Sequence, residues 1–231
     1  HCSSFRRLKH KTQVFVYHEG DHFRTRLTHS LEVSQISRSI ARHMGLNEDL
    51  CEALSLAHDL GHTPFGHAGE DVLSDCMSSY GGFDHNIQSL RILLLLENIY
   101  ENFSGLNLSL NCIDGLLKHN GPVTDKKRLI SLLPEVENYK LNLQSFGSLE
   151  SQISSLSDDI AYNNHDIDDG LRAKFFSIDD LKDIPILKDI VLETYDKNSD
   201  KNNHKLVRKL IDYMVTDLIE NSKKNIDSNN I

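Results

Sequence analysis

The sequence predicts an all-α helical bundle. Three observations carry the prediction: apolar residues recur at steps of three and four along most of the 231 residues, period-two alternation is nearly absent, and Asn, Gly and Pro stand where helices would start or stop. In chain order, Val33, Ile36, Ile40 and Met44 form the first stripe, and Gly45 follows as a C-terminal stop. Asn47 caps the next helix, Glu48 and Asp49 suit the positive end of its dipole, and Leu50, Leu54 and Ala57 continue the stripe until Gly61. The same spacing marks Phe83, Ile87, Leu90 and Leu94 in a helix over 83–98, then Ile153, Leu156 and Ile160, and last Leu206, Leu210, Tyr213, Met214 and Leu218. The best strand candidate is the run Gln13 to Tyr17 beside the turn signal Glu19-Gly20-Asp21. The Asn-rich segment 101–121 reads as a loop, 179–203, charged and interrupted by Pro185, as connections or surface helices, and the residues after Asn221 as a polar tail. With no internal repeat, one domain over 1–231 is the simplest organisation.

Composition narrows the function classes. The longest apolar run, Ile92 to Leu96, is five residues, against the roughly 20 that a bilayer span requires. No charged-then-apolar signal segment opens the chain, so no membrane partner is expected. Cys2, Cys51, Cys76 and Cys112 lie far apart without a C-x-x-C pair and read as reduced thiols of a cytoplasmic protein. Ten of the 13 histidines fall within the first 85 residues, and residues 1–42 hold eight Lys/Arg against three Asp/Glu inside a chain of net charge −9. Such a chain is poorly suited to coating nucleic acid and well suited to focusing a small anion, such as a phosphate, into one site.

The chemistry concentrates in His58-Asp59-Leu60-Gly61-His62-Thr63-Pro64-Phe65-Gly66-His67-Ala68-Gly69-Glu70, where an apolar helix runs into a Gly/Pro turn. His58 follows Leu54 by four and so faces the interior; His29 precedes Val33 by four and does the same at the start of the preceding helix. Antiparallel packing of the two helices would bring these imidazoles together, with Asp59 adding a hard oxygen, as a divalent metal site requires. One histidine on an apolar face is ordinarily a core residue bonded to a carbonyl, and His43 and His204 are read that way. The crowding of His58, Asp59, His62, His67 and Glu70 favours a metal or anion instead, because burying so many titratable groups without a counter-charge is costly. A further ligand is expected from Asp158, Tyr162 and Asp166, spaced i, i+4, i+8 along one helix face, while Asp168 and Asp169 read as solvated acidic surface.

The order His29, His58-Asp59, Asp158 resembles the H…HD…D signature of the HD-domain metal-dependent phosphohydrolases, an all-α superfamily. More narrowly, Phe5-Arg6-Arg7-Leu8, Lys11-Thr12-Gln13-Val14-Phe15, Arg24 to Ser30, His58 to Glu70 and Asp158 to Tyr162 are similar to bacterial deoxyguanosinetriphosphate triphosphohydrolases. The resemblance covers a core of residues 1–175, with 176–231 matching loosely as a helical tail. By analogy the chain lacks an N-terminal arm and a C-terminal segment. The resemblance implies that His29, His58, Asp59 and Asp158 hold one Mg²⁺ or Mn²⁺ ion, Asp158 being preferred to Asp159 for its spacing to Tyr162. It makes His67 and Glu70 a catalytic pair and places His85 and His62 near the phosphates. Arg26 matches a phosphate-contacting arginine, Gln13 and Val14 match residues that exclude a 2′-hydroxyl, and Tyr162 and Asp166 match residues that meet the sugar.

The implied reaction is hydrolysis of a deoxynucleoside triphosphate at the α-phosphorus to the deoxynucleoside and inorganic tripolyphosphate, by a homo-oligomer if the family habit holds. In this scheme Arg26 and the cluster Arg6, Arg7, Lys9 and Lys11 counter the phosphate charge. Three rivals stand beside it. One is a zinc peptidase with His58-x-x-x-His62 as its ligand pair, opposed by Asp59 where the required Glu would be and by Gly61 and Pro64. Another is a nucleotide-sensing module without turnover, and the third a phosphomonoesterase or phosphodiesterase on another nucleotide.

Overall fold

A computed structural model of the chain describes residues 2–14, 23–196, 199 and 201–229. Among them the architecture is all-α, with ten α-helices: α1 Ser3–Arg7, α2 Arg26–Met44, α3 Glu48–Ala57, α4 Gly66–Cys76, α5 His85–Arg91, α6 Leu110–Leu117, α7 Lys126–Leu132, α8 Leu149–Arg172, α9 Pro185–Thr194 and α10 Asn202–Asn229. No strand occurs among the described residues; Thr12 and Thr25 form an isolated antiparallel bridge. The strand expected over Gln13 to Tyr17, and the Glu19-Gly20-Asp21 turn, lie largely outside the described residues. None of the described helices is long and apolar enough to cross a membrane.

The chain divides into two compact units, His1–Asp158 and Asp159–Ile231, the boundary falling inside α8. The core of the first unit gathers Leu8, Leu54, Leu60, Leu90, Ile113 and Leu133 around α3, α5 and α6. Gly45, at φ +71°, ends α2 as expected, and Asn47 caps α3 by accepting the N–H groups of Asp49 and Leu50. The Ile92–Leu96 run prolongs α5 as a single π turn. Segment 101–121 is not wholly loop: it contains α6, whose Ile113, Leu116 and Leu117 are buried. The Asn-rich flanks and the helix's eight-residue length concealed its stripe. The second unit packs Leu171, Leu187, Ile190, Val191, Leu206 and Leu210 together, so α9 inside the charged 179–203 segment supplies core, and α10 runs past Asn221 to Asn229.

Several polar residues lie where their neighbours, rather than their spacing, decide. Asp168 and Asp169, expected on a solvated face, are buried, and the Arg172 guanidinium donates to Asp168 at 3.1 Å. His43 and His204, expected in the core, are exposed; His43 does bond the Ser39 carbonyl, at 2.8 Å.

Glu97 ties α1 to the first unit. Its carboxylate accepts the Ser4 N–H at 2.7 Å, the Ser3 N–H at 3.3 Å and the Ser3 hydroxyl at 3.1 Å. Burial pushes its pKa up, but these donors outweigh it and hold the group below its ordinary 4.5. Its stabilising contribution is therefore complete above that value and is lost as acid carries the solution down through the folded-state pKa. Glu97→Ala leaves the N–H groups without their partner and is expected to lower stability by about 1–3 kcal/mol. Denaturant unfolding at neutral pH and in mild acid checks this: the gap between wild type and variant should narrow in acid.

Candidate metal centre

Three short pieces of chain converge in the first unit. The first is the start of α2, where the Thr25 hydroxyl and Thr28 close a capping box. The Arg26 N–H donates to the Lys11 carbonyl at 2.9 Å and the Gln13 N–H to the Arg24 carbonyl at 3.3 Å, so segment 11–13 is stapled to that helix end. The second piece is the end of α3. There the Ser89 hydroxyl, from α5, donates to the His58 carbonyl and accepts the Gly61 N–H, both at 2.8 Å. Gly61 permits this approach: a Cβ there would lie 2.1 Å from the His85 carbonyl oxygen and 2.4 Å from the Ser89 nitrogen. The third piece is the middle of α8, whose buried Ser154 meets Ser55 hydroxyl to hydroxyl at 3.0 Å. Ser151 donates to the Gly115 carbonyl at 2.9 Å on the same face.

These supports set the ligand geometry. His58 Nδ1 bonds the Ser55 carbonyl at 2.7 Å, which turns Nε2 inward. That nitrogen is buried without a hydrogen bond, 3.4 Å from Asp59 Oδ1 and 3.6 Å from Asp158 Oδ1. His29 Nε2 stands 2.7 Å from the same Asp158 oxygen, and the two rings meet edge to face with centroids 5.7 Å apart. His29, His58 and Asp158 thus each offer a donor atom within 4.8 Å of the others. Asp59 stands beside this triangle: its Oδ2 accepts from Arg26 Nη1 at 2.9 Å, and its Oδ1 faces His58 and, at 3.5 Å, His62 Nε2.

Electrostatics supports the fit of a cation. Burial alone would lower the His58 pKa, but Asp59 and Asp158 outweigh it and raise it to about 9. Burial would likewise raise both carboxyls; His58 and Arg26 hold Asp59 below the usual range, and His58 with hydrogen bonds from His119 and His29 does so for Asp158. The centre therefore favours positive charge at His58 Nε2, the place a metal would occupy, and its nitrogen and carboxylate donors suit Mn²⁺, Fe²⁺, Co²⁺, Zn²⁺ or Mg²⁺.

A second group, His62, Glu70 and His85, adjoins it. Glu70 accepts the His85 N–H at 2.9 Å and meets His85 Nδ1 at 2.8 Å, while the His62 and His85 rings stack at 4.0 Å. The expected Glu70–His67 partnership is not made as a hydrogen bond: His67 Nδ1 lies 3.7 Å away, on a side chain 70% exposed. Glu70 is engaged by His85 because that residue, at the start of α5, presents both its backbone N–H and its ring Nδ1 to the carboxylate. Burial lowers the His62 pKa to about 2, helped by Arg26, His85 and His67 against the opposing Asp59, so this imidazole is neutral at physiological pH.

The remaining expected residues fall as follows. Arg26 is buried, with Nη1 committed to Asp59 and Nε without a partner. Gln13 is buried with an unpartnered Oε1, and Val14 is exposed. Lys11 donates to the Leu60 carbonyl at 3.1 Å, whereas Arg6, Arg7 and Lys9 are exposed. Tyr162 and Asp166 follow Asp158 on α8 by four and eight residues and belong to the second unit. The peptidase arrangement is absent, since α3 ends at Ala57 and His58 and His62 share no helix. One residue escaped sequence reading. His119, in the turn after α6, lies with Nε2 3.4 Å from Asp158 Oδ2 and stacks on His58 at 5.0 Å. It stands on no periodic stripe, so only its residue type could have signalled it.

Comparison with known proteins adds that residues 26–137 match the HD domain family. The chain carries an HD domain. Outside the matched stretch it remains similar to longer proteins. One is a deoxyguanosinetriphosphate triphosphohydrolase-like protein of Pelagibacter ubique, 61% identical across 93% of this chain and 59% of the relative. Two more of the same name come from Parvibaculum lavamentivorans, 53% identical across 98% of this chain and 59% of the relative, and Bradyrhizobium diazoefficiens, 50% identical across 98% and 60%. The chain thus spans about three fifths of the length of the curated relatives it matches.

Gly61→Ala is expected to force α5 away from the end of α3, lowering stability by about 1–3 kcal/mol or more. Ser89→Ala, which removes the bridge without adding bulk, leaves two buried backbone groups unpaired at a cost of about 1–3 kcal/mol. Denaturant unfolding of both variants checks these outcomes.

Proposed function

We propose that this HD domain is the catalytic part of a metal-dependent phosphohydrolase that cleaves deoxynucleoside triphosphates to the deoxynucleoside and tripolyphosphate. The observation that carries the proposal is the triangle of buried His29 and His58 with half-buried Asp158, in which an unpartnered imidazole nitrogen is aimed at two carboxylates. The names of the relatives supply the substrate class, and dGTP is the first candidate.

A divalent cation, Mg²⁺ or Mn²⁺, held by His29, His58, Asp158 and Asp59 would supply Lewis-acid charge beside the α-phosphate. The protein's own groups account for the rest. Arg26 and Lys11, both at this end of α2, counter the negative charge of the phosphates. In the hydrolysis a water oxygen bonds to the α-phosphorus, the bond from phosphorus to the 5′-oxygen breaks, and that oxygen takes up a proton. His67 is the proposed donor of this proton, because its exposed ring can reach a bound substrate, whereas His62 is held neutral. Glu70 fixes His85, and the stacked His62 and His85 rings offer hydrogen bonds to the phosphate oxygens. Gln13, with Val14, is assigned to the deoxyribose, its buried Oε1 being a polar atom in want of a partner. Homo-oligomerisation and a cytoplasmic setting complete the proposal.

Incubation with each of the four deoxynucleoside triphosphates and Mn²⁺, followed by chromatography, should release tripolyphosphate, and a chelator should abolish it. Nucleotide-dependent thermal stabilisation without product would move the reading to a sensing module. His58→Ala and Asp59→Ala are expected to lose both metal binding and turnover. His67→Ala should keep the metal and lose rate by ~10²–10⁴-fold, the usual worth of a positioned acid or base. Turnover of a ribonucleoside triphosphate should be far slower than that of its deoxy analogue, and Gln13→Ala should narrow the difference; equal rates in the wild type would remove Gln13 and Val14 from the sugar.

A further inference from the structure

We infer that His119 is a positioning residue for the metal ligand Asp158, holding one carboxylate oxygen so that the other is presented to the cation. The inference rests on the metal-site reading above. Asp158 divides its two oxygens between different partners: Oδ1 faces His29 Nε2 at 2.7 Å and His58 Nε2 at 3.6 Å, and Oδ2 faces His119 Nε2 at 3.4 Å. A carboxylate free to rotate could offer either oxygen, or both, to a cation. A donor on Oδ2 removes that freedom and leaves Oδ1 at the vertex shared by the two ligand imidazoles. The sets of mutually close donor atoms among the described residues include His29, His58 and Asp158 and leave out His119, as expected of a group that acts on a ligand.

The His119 ring is itself held by a stacked neighbour and by the turn that carries it. It stacks on His58, centroids 5.0 Å apart and planes 24° from parallel, so it touches two of the three ligands at once. Its backbone N–H bonds the Leu116 carbonyl, and the Gly121 N–H bonds the Lys118 carbonyl at 2.9 Å. Gly121, at φ +96°, provides the left-handed conformation on which that turn depends. Lys118, the neighbour, is buried, with Nζ 2.6 Å from Asp114 and 3.2 Å from the Ser145 hydroxyl. A turn anchored by the ion pair of a buried lysine can hold an imidazole to the tolerance that ligand orientation demands.

Two variants separate the hydrogen bond from the ring. His119→Phe keeps a flat ring against His58 and loses the donor; His119→Gln loses the ring and carries an amide N–H to the same distance. Isothermal titration with Mn²⁺ alone should show a 10–100-fold weaker Kd for His119→Phe, the usual penalty for losing such a support. His119→Gln should bind nearly as the wild type does. Thermal unfolding without metal reports whether each variant is folded. Wild-type affinity in His119→Phe, or affinity lost equally in both folded variants, overturns the inference, the second result pointing to direct ligation by the imidazole. If wild-type protein binds no Mn²⁺, the metal-site reading itself fails, and this inference with it. Should His119→Phe not fold, His119→Leu takes its place in the same titration, with the same expectation.

Discussion

Two carboxylates, buried Asp59 and half-buried Asp158, are brought into one region, and the structure around them is organised to balance their charge. Taking a carboxylate out of water costs several kcal/mol even after relaxation. Arg26 neutralises part of Asp59, and His58, enclosed by both acids, is driven to carry a proton or give its place to a cation. The balance works only while three elements stay together, since His29, the His58-Asp59 pair and Asp158 are far apart in sequence. The capping box of α2, the Ser89 bridge and the glycine at position 61 are what keep them so.

Beside this charged centre lies a group of a different kind. His62 and His85 are stacked, Glu70 is engaged by the backbone and ring of His85, and His67 projects outward. Charge and neutrality are thus separated over a few ångströms: one imidazole is pushed up to about 9 and another down to about 2. The sign depends on which acids each ring can reach. His58 meets two carboxylates, whereas His62 meets Asp59 together with Arg26 and two further imidazoles. A site that gathers positive charge at one ring and keeps the next ring neutral is served by this contrast.

Much of this was legible in the sequence. The stripes Val33–Met44 and Leu50–Ala57, with Gly45 and Asn47 between them, gave α2 and α3 and so the meeting of His29 with His58. Spacing to Tyr162 favoured Asp158, and it is Asp158 that completes the triangle. Local pattern failed where tertiary contacts decide. Segment 101–121 hid α6 behind asparagines, Asp168 and Asp169 were drawn inside by their neighbours, and Glu70 took His85 from another helix in preference to His67 three residues away. His119 was invisible because its role comes from the placement of one turn, which no periodicity reports.

The serines of α8 have a consequence for accuracy of placement. Ser151, Ser154 and Ser157 are all buried, and the Ser154 hydroxyl is latched to Ser55 one turn before Asp158. Small side chains let the helix lie close, and the latch gives it a fixed axial stop. Sliding α8 by a single residue would swing Asp158 about 100° around the helix axis and empty one corner of the triangle. A pair of uncharged hydroxyl groups therefore sets the tolerance to which the third corner of the triangle is delivered.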